Sequence, residues 1–257
     1  MLSARQKKKA RKIVISAIIA AILTAGGLLA YQALIIRKAK STRYPEFGIF
    51  IPENYSIHGI DVSKYQSMVA WEEVKAMKVK EIQLGFAFIK ATEGIANTDP
   101  HFKRNWKKTK DNGVVRGAYH FFIGSKDGRM QAENFIDKVE LEPGDLPPVL
   151  DVEQLNGAST IEFKKEIKEW LDIVEAHYHV RPIIYTNVDF YTRNIGSEFD
   201  DYPLWVAHYY QPGQPRINRG WTFWQHSDEG RVNGILSKVD FNVFNGDSLE
   251  FRSMLVE

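Results

Sequence analysis

The stretch Leu146-Pro147-Pro148-Val149-Leu150-Asp151-Val152-Glu153 decides the fold prediction. A short apolar run ends there in two carboxylates, and the loop-forming pair Asn156-Gly157 follows, as expected of a buried strand and its exit. On one strand Asp151 and Glu153 point to the same face, with backbones about 6.6 Å apart. Two acids this close do not ionise independently, so we expect one pKa to rise while the other carboxylate stays charged. Two solvated acids at a strand end are the competing interpretation.

Short apolar runs alternate with helical patterns around this stretch. Strands are predicted at 57–62, 82–90, 114–122, 147–153 and 182–187, and shorter ones at 203–209, 221–226 and 237–243. Helices are predicted at 100–111, with Asp99 as N-cap, and at 160–177, which opens with the capping-box pattern Ser159-Thr160-Ile161-Glu162. The helical signal fades beyond about residue 200. This alternation predicts an α/β fold with a mainly parallel sheet, whose functional groups lie at the carboxyl ends of its strands.

The first 43 residues differ from the rest of the chain. Residues 13–36 carry no charge, and as a helix these 24 residues reach about 36 Å, enough to cross a hydrocarbon core of about 30 Å. Six cations precede the segment and four follow it, which favours a cytoplasmic N-terminus. We therefore predict a cytoplasmic basic tail (1–12), a transmembrane anchor (13–36), a linker (37–56) and a periplasmic or extracellular domain (57–257). A cleaved signal peptide and a secreted protein are the alternative.

Charge and composition argue against several classes of function. Ten of the 34 cations and none of the 32 acids lie in residues 1–43, so the remaining 24 cations and 32 acids give a net charge of −8. A nucleic-acid partner is therefore not indicated. The chain has no cysteine, which excludes disulfides, thiolate nucleophiles and cysteine zinc sites. His177-x-His179 is a weak ligand pattern better explained by surface or packing roles, so we predict no metal and no cofactor. We expect a monomer.

Polar or aromatic side chains end all eight predicted strands. One acid at a strand end is ordinary, but eight such ends are hard to explain by stability alone. A barrel brings the carboxyl ends of its strands to one rim, so we predict that these side chains form one site there. This prediction depends on the barrel.

The ordered set of motifs resembles glycoside hydrolase family 25, the N-acetylmuramidases or lysozymes. The motifs are Gly59-Ile60-Asp61-Val62-Ser63, Phe88-Ile89-Lys90-Ala91-Thr92-Glu93-Gly94, Tyr119-His120-Phe121, Asp151-Val152-Glu153, Tyr185, Trp205-Val206-Ala207-His208, Trp224-Gln225 and Val239-Asp240. They extend from about His58 to Asn245. The resemblance implies an irregular TIM-like (β/α)5(β)3 barrel that cleaves the β-1,4 bond between N-acetylmuramic acid and N-acetylglucosamine in peptidoglycan.

The resemblance also implies a role for each site residue. Glu153 would be the general acid, and an ionised Asp151 would assist attack by the N-acetyl group of the substrate or act as nucleophile itself. Asp61 and Asp240 resemble the two further acids of the family site and would position the acetamido group or tune the acid pair. The residues expected to bind substrate are Lys90, Glu93, Tyr119, Tyr185, Asn187, Trp205, His208, Trp224 and Gln225. Core packing is the competing interpretation for each aromatic residue among them.

Three other functions stay open at this point. The domain could be a non-catalytic glycan-binding module that keeps the groove, or a tethered scaffold that has lost its chemistry. It could also be a metal-dependent polysaccharide deacetylase, whose site needs an Asp with two well-placed histidines.

Overall fold

A computed structural model describes residues 4–38 and 41–257, which divide into two compact units, Met1–Lys40 and Ser41–Glu257. The first unit is one helix, α1 (Ala4–Lys38). Its segment Arg11–Leu29 has a mean hydropathy of 2.2 and is long and apolar enough to cross a membrane. A signal sequence near an N-terminus has the same length and composition, so the anchor at 13–36 stays a prediction.

Residues 41–257 contain both strands and helices in alternation. The strands are β1 (Ser41–Tyr44), β2 (Ile49–Pro52), β3 (His58–Val62), β4 (Lys78–Val79), β5 (Ile82–Glu93), β6 (Asn97–Thr98), β7 (Val115–Phe121), β8 (Val149–Asp151), β9 (Ile183–Asn187), β10 (Leu204–Ala207), β11 (Phe223–Gly230) and β12 (Val239–Phe244). The α-helices are α2 (Trp71–Ala76), α3 (Phe102–Asp111), α4 (Gly128–Ile136), α5 (Thr160–Tyr178), α6 (Val188–Phe190) and α7 (Ser248–Ser253). Short 3₁₀ or π segments lie at Lys64–Gln66, Tyr191–Ile195 and Gly196–Phe199.

Eight strands close a barrel in the order β3-β12-β11-β10-β9-β8-β7-β5, and β5 pairs back with β3. Seven of the eight barrel strands run parallel to one another: β3, β5, β7, β8, β9, β10 and β11. The eighth, β12, runs antiparallel to its two neighbours, β11 and β3. Helices connect the first five barrel strands because parallel neighbours need a crossover, and β10, β11 and β12 follow without long helices. The predicted (β/α)5(β)3 barrel is confirmed.

Two local predictions at element ends have different outcomes. The capping box of α5 is confirmed, since Ser159 accepts from the backbone N–H of Glu162 and the Glu162 carboxylate accepts from that of Ser159. The N-cap prediction for Asp99 is wrong, because α3 begins after His101. The Asp99 carboxylate instead accepts from the backbone N–H groups of His101 and Lys64, at 2.9 and 2.7 Å.

The strand around the acid pair is shorter than predicted. Strand β8 covers only Val149–Asp151, and Glu153 lies beyond its end. Two prolines, Pro147 and Pro148, precede the strand and have no backbone N–H to donate to a sheet. Asp151 and Glu153 therefore do not lie on one strand as predicted, and the loop after β8 positions Glu153.

Part of the predicted linker 37–56 is instead folded structure. Strands β1 and β2 form an antiparallel hairpin that belongs to the second unit. The hairpin buries Tyr44, Phe47, Ile49 and Ile51 in the main hydrophobic core, where the ring of Phe47 lies 5.2 Å from that of Phe241. Burial of these four apolar side chains stabilises the hairpin on the barrel and overrides the loop signal of the neighbouring prolines.

The barrel interior is apolar at one end and polar at the other. The apolar end is a cluster built mainly of aromatic residues, among them Phe86, Phe88, Trp205, Phe223, Phe244 and Phe251. The packing there is close, since a Cβ atom on Gly59 would lie 2.5 Å from the ring of Phe86, and one on Gly117 would lie 2.7 Å from that of Phe88. The interior is therefore filled below the rim, as in other small barrels.

Candidate active site

A cleft of about 210 Å³ opens at the carboxyl ends of the parallel strands. Every second side chain of a barrel strand points inward, and the last of these reach the cleft. On β5 the inward side chains of Phe86 and Phe88 belong to the apolar cluster, and Lys90, two residues further, lines the cleft. On β8 the same step leads from Val149 to Asp151. The residues lining the cleft are Asp61, Ser63, Tyr65, Gln66, Lys90, Tyr119, Phe121, Asp151, Glu153, Tyr185, Trp205, Tyr209, Gln225 and Asp240.

Four acids from three different strands meet in this cleft. Asp61 near the end of β3 is the register partner of Asp240 near the start of β12, which runs in the opposite direction. Asp151 ends β8, and Glu153 follows it by two residues. Asp61 and Asp151 are buried, whereas Glu153 and Asp240 are partly exposed. The predicted convergence of strand-end acids is what the structure shows.

Asp61 is held by two side-chain amides. Gln225 Nε2 and Asn242 Nδ2 each donate to Asp61 Oδ2 at 2.8 Å, and all three side chains are buried. Hydrogen bonds donated to a carboxylate favour its charged form. They act against burial, the largest effect, and on balance the pKa of Asp61 is raised to about 6.

The two amides are themselves oriented by their neighbours. The indole Nε1 of Trp205 donates to Asn242 Oδ1 at 2.8 Å. The hydroxyls of Tyr185 and Tyr209 donate to Gln225 Oε1, also at 2.8 Å. Because each amide oxygen is occupied, each amide nitrogen must face Asp61.

The other three acids also bind protons more tightly than in water. Burial raises the pKa of Asp240 to about 9, with a further contribution from the charge of Asp61. Burial raises the pKa of Asp151 well above its usual range, and the charge of Glu153 adds to this effect. The pKa of Glu153 is raised by burial as well, although the neighbouring Tyr185 hydroxyl and the charge of Lys90 oppose the rise. Burial therefore raises the pKa of both members of the pair, and a charged Asp151 beside a protonated Glu153 stays a prediction.

The cleft has one basic side chain against these four acids. Lys90 Nζ lies 2.5 Å from Glu93 Oε2 and 4.6 Å from the centroid of the Phe121 ring. Its charge lowers the pKa of both Asp151 and Glu153, so it partly offsets their burial. Among the residues that the structure describes, Asp151 Oδ1 is a buried oxygen without a hydrogen-bond partner. Such an atom is costly unless a ligand or water satisfies it.

Four predicted substrate-binding residues do not line the cleft. Glu93 is paired with Lys90 from outside it, and Asn187 caps α6 by accepting from the backbone N–H of Phe190 at 2.8 Å. Trp224 is fully buried on the outer side of the barrel, and its Nε1 donates to the carbonyl of His208 at 2.9 Å. Alternation turns Trp224 and His208 away from the barrel axis, and His208 Nδ1 accepts from the backbone N–H of Arg216 at 3.1 Å. Asn187 and Glu93 are instead engaged by Phe190 and Lys90 at the ends of their strands.

The cleft also contains residues that the sequence did not single out. Ser63 and Phe121 lie inside the family motifs, whereas Tyr65 and Gln66 belong to the 3₁₀ segment after β3 and Tyr209 to the loop after β10. Tyr65 is 75% exposed, and its backbone carbonyl accepts from Ser237 Oγ. Tyr65 and Tyr209 could have been predicted only from being aromatic residues within three positions of a strand end, which is a weak indication.

No histidine lines the cleft, and no group of three or more His, Cys, Asp or Glu side chains arranged for a metal ion occurs within residues 4–38 and 41–257 as far as they are described. His177 packs edge-on against Tyr178, and His179 is the C-cap of α5 in the left-handed conformation with φ of 57°. The Asp with two histidines that a metal-dependent deacetylase needs is absent from the lining.

Comparisons with known proteins agree on one family. Residues 60–235 match Glycosyl hydrolases family 25. Uncharacterized protein YegX of Escherichia coli (strain K12) is 47% identical over 209 residues, which cover 81% of this chain and 77% of that protein. Lysozyme M1 of Streptomyces globisporus is 34% identical over 218 residues, covering 77% and 71%. A family 25 glycosyl hydrolase of Bacillus anthracis superposes with a TM-score of 0.73 at 32% identity, covering 82% of this chain and 99% of that one.

Proposed function

Because this chain belongs to glycosyl hydrolase family 25, we propose that it cleaves the β-1,4 bond between N-acetylmuramic acid and N-acetylglucosamine in peptidoglycan. The chain is a glycoside hydrolase, and its relatives include lysozymes and muramidases. The lysozyme and muramidase relatives support the choice of bond, and the observation that carries the choice of residues is the cleft, in which four acids face one lysine. Buried carboxylates with too few cations hold protons at neutral pH, and a held proton is what acid catalysis of glycoside cleavage needs.

Glu153 is the proposed proton donor. It is partly exposed at the rim, so a glycosidic oxygen can reach it, and burial raises its pKa. As the bond from the anomeric carbon to the leaving oxygen breaks, the Glu153 carboxyl gives its proton to that oxygen. The resulting carboxylate then takes a proton from the water that attacks the anomeric carbon, which restores the acid.

Asp151 is the proposed partner of the substrate acetamido group. Its Oδ1 atom, which lacks a partner among the described residues, is available to accept the acetamide N–H. A hydrogen bond of this kind favours the charged form of Asp151 and so supports its pairing with a protonated Glu153. With its N–H held, the acetamide carbonyl oxygen attacks the anomeric carbon and forms a cyclic oxazolinium.

A direct test separates this route from attack by Asp151 itself. A thiazoline analogue of the oxazolinium should inhibit competitively under substrate assistance. Rapid quenching followed by mass spectrometry of the protein should show no sugar attached to Asp151. A covalent glycosyl adduct on that residue would establish the nucleophile mechanism instead.

Asp61 and Asp240 are proposed to set the charge of the site. Asp61 is held by two amide donors, and Asp240 faces it across the β3–β12 pair. The negative charge of ionised Asp61 favours protonation of the neighbouring acids, Asp240 among them, and stabilises positive charge that develops at the anomeric carbon. The remaining predicted residues that line the cleft, and that we propose contact the sugars, are Lys90, Tyr119, Tyr185, Trp205 and Gln225.

The location proposed for the enzyme is the outer side of a membrane that α1 crosses. The apolar length of α1 and the cations before it support this proposal. Full-length protein should stay with membranes through an alkaline wash and keep its complete mass. A shorter protein in the soluble fraction would show that the segment is cleaved.

Product analysis tests the reaction. Purified protein incubated with peptidoglycan should release fragments with new reducing muramic acid ends by mass spectrometry, and the Glu153→Gln variant prepared in the same way should release none. Anhydro-muramic ends would indicate a lytic transglycosylase, and reducing glucosamine ends a glucosaminidase. No release by the wild type would favour a non-catalytic glycan-binding module.

A further inference from the structure

A second cavity lies on the outer flank of the barrel, under the N-terminal hairpin. Its volume is about 440 Å³, within the range of small-ligand sites. We call it the hairpin pocket, and its lining residues are Ser41, Gly48, Ile49, Phe50, Pro52, Tyr210, Gln211, Pro212, His226, Ser227 and Glu229. The family match begins only at residue 60, so the hairpin that forms one wall lies outside it.

Two buried polar atoms of lining residues have no hydrogen-bond partner among the described residues. One is Nε2 of His226, a residue that is 4% exposed. His226 is the extra residue of a β-bulge, since Gln225 pairs with Asn242 and the next pair is Ser227 with Phe241. Bulges redirect a side chain and are frequent beside functional sites.

The other atom is Oε1 of Gln211. Its amide nitrogen donates to the carbonyl of Tyr209 at 3.3 Å, which leaves the oxygen free to accept. Burial lowers the pKa of His226 to about 3, so its ring is neutral at physiological pH. A neutral imidazole nitrogen and an amide oxygen are the groups with which proteins bind uncharged hydroxyl and amide functions.

Two exposed aromatic rings flank these atoms. Phe50 is 60% exposed on β2, and Tyr210 is 69% exposed in the loop after β10. Tyr210 has a φ of 56°, an uncommon value for a residue with a side chain, and its hydroxyl donates to Asp228 Oδ1 at 2.7 Å. The ring is therefore fixed in place at some conformational cost, which is frequent at binding sites.

The charge of the pocket excludes a strongly anionic ligand. Among the residues that the structure describes, its lining contains no Lys and no Arg, and the one acid there, Glu229, is paired with Lys238. A ligand that offers apolar ring faces together with hydroxyl and amide groups, and no net charge, fits these walls.

We propose that the hairpin pocket binds an N-acetylhexosamine ring of a glycan strand, as a second site beside the cleft. Residues that are adjacent in sequence line the two cavities: Tyr209 and Gln225 line the cleft, whereas Tyr210 and His226 line the pocket. The rings of Tyr209 and Tyr210 lie 6.2 Å apart. The choice of sugar rests on the proposed function. A polymer that occupies both sites is held more tightly than by the cleft alone, because the second contact is intramolecular.

Binding to immobilised glycan strands stripped of stem peptides tests this proposal without turnover. Full-length protein carrying Glu153→Gln would be compared with the same protein carrying also Phe50→Ala and Tyr210→Ala. We expect the additional pair to raise the Kd by about tenfold or more, as one of two linked contacts is lost. Gln211→Ala should raise it roughly two- to tenfold through one lost hydrogen bond. Leu249→Ala, which removes an equally exposed apolar side chain on α7, is the matched control and should bind like its parent.

The binding and turnover measurements test the hairpin pocket and the proposed muramidase activity independently. An unchanged Kd in the Phe50/Tyr210 variant, or no binding of the parent to the strands, would overturn the pocket whatever the turnover of the wild type. A defect seen only on strands that keep their stem peptides would also overturn it, since the ligand would then be a peptide. Failure of the wild type to release muramic acid ends would overturn the proposed reaction, and the binding comparison would still decide the pocket.

Discussion

Two groups of buried charged residues lie at opposite ends of the barrel wall and have opposite electrostatics. At the amino end of β7, Arg116 is 3% exposed and donates to Asp145 through Nε and Nη2, at 2.7 and 3.0 Å. The same guanidinium donates to Glu142 and to the carbonyl of Trp106, both at 2.8 Å, and lies 3.9 Å over the Trp106 ring. Each charge in this group has a close partner of fixed geometry, as a bidentate arginine pair provides.

At the carboxyl end the acids outnumber the cations. Asp61, Asp151, Glu153 and Asp240 share the cleft with Lys90, and burial raises the pKa of all four acids. The same chain therefore neutralises buried charge fully at one end and leaves it uncompensated at the other. Perturbed carboxylates in an open cleft are a mark of catalysis, whereas a fully paired group is a mark of structure. Substitutions at the two ends should accordingly affect different quantities.

Of the substitutions considered, Glu153→Gln should have the largest effect, and it should change the catalytic rate but not the stability. Losing the proton donor is expected to lower kcat by roughly 10²–10⁴-fold, the range found for general acid catalysis. Stability should not fall, because a neutral amide replaces a group whose charged form is disfavoured by burial. Initial rates on peptidoglycan and urea unfolding of the same preparation measure both. A variant that keeps more than a tenth of the wild-type rate would assign the proton to another residue.

Arg116→Met should give the next largest effect, and on stability. It leaves Asp145 buried without its cation, which costs about 3–5 kcal/mol of unfolding free energy. Arg116→Met combined with Asp145→Leu should recover most of this loss, since no unpaired charge remains. Chemical denaturation compares the three proteins. If the single variant unfolds like the wild type, Arg116 does not stabilise buried Asp145, and the two ends of the barrel do not differ in how buried charge is paired.

The acid cluster at the carboxyl end of the barrel was predictable from the sequence, whereas the Arg116–Asp145 pair at the amino end was not. The cleft acids follow strands whose apolar pattern is local, so a barrel brings them to one rim whatever the details of packing. Arg116 and Asp145 are 29 positions apart, and nothing in the chain near either residue indicates that they meet. Pairing of this kind is decided by tertiary packing.

Two errors and one missed contact show where local patterns fail in this chain. Prolines in residues 37–56 suggested a linker, but burial of Phe47 and its neighbours outweighs them. Trp224 was expected to contact sugar, but its position on β11 turns it outward into a buried aromatic group. The support of Asp61 by Asn242 depends on the register of β12 against β3, which a pattern of apolar residues does not specify to the residue.

Asn242→Ala tests that support and should have an intermediate effect. It removes one amide donor from Asp61 and leaves the indole N–H of Trp205 without its acceptor, which costs about 1–3 kcal/mol of stability. The charged form of Asp61 loses a hydrogen bond, so its pKa should rise further above about 6. If ionised Asp61 is required, the acid limb of the pH–rate profile moves to higher pH. A uniform loss of rate at all pH values would indicate a purely structural role for Asn242.

Asp240→Asn should give the smallest effect, and one that depends on pH. Burial and the charge of Asp61 raise the pKa of Asp240 to about 9 in the folded protein, well above its value in the unfolded chain. The folded state therefore binds this proton more tightly, and stability is lost as pH rises from about 4 towards 9. The amide cannot ionise, so the variant should gain stability relative to the wild type over that interval. Because the Asp240 side chain is partly exposed and solvent screens its charge, we expect a gain of only about 1 kcal/mol, or roughly 2–4 °C in Tm. Asp189→Asn, at an exposed acid paired with Arg193, is the control and should show no such divergence. Parallel melting curves of Asp240→Asn and wild type from pH 4 to 9 would mean that the cleft acids are not short of positive charge, and the contrast with the Arg116 end would disappear.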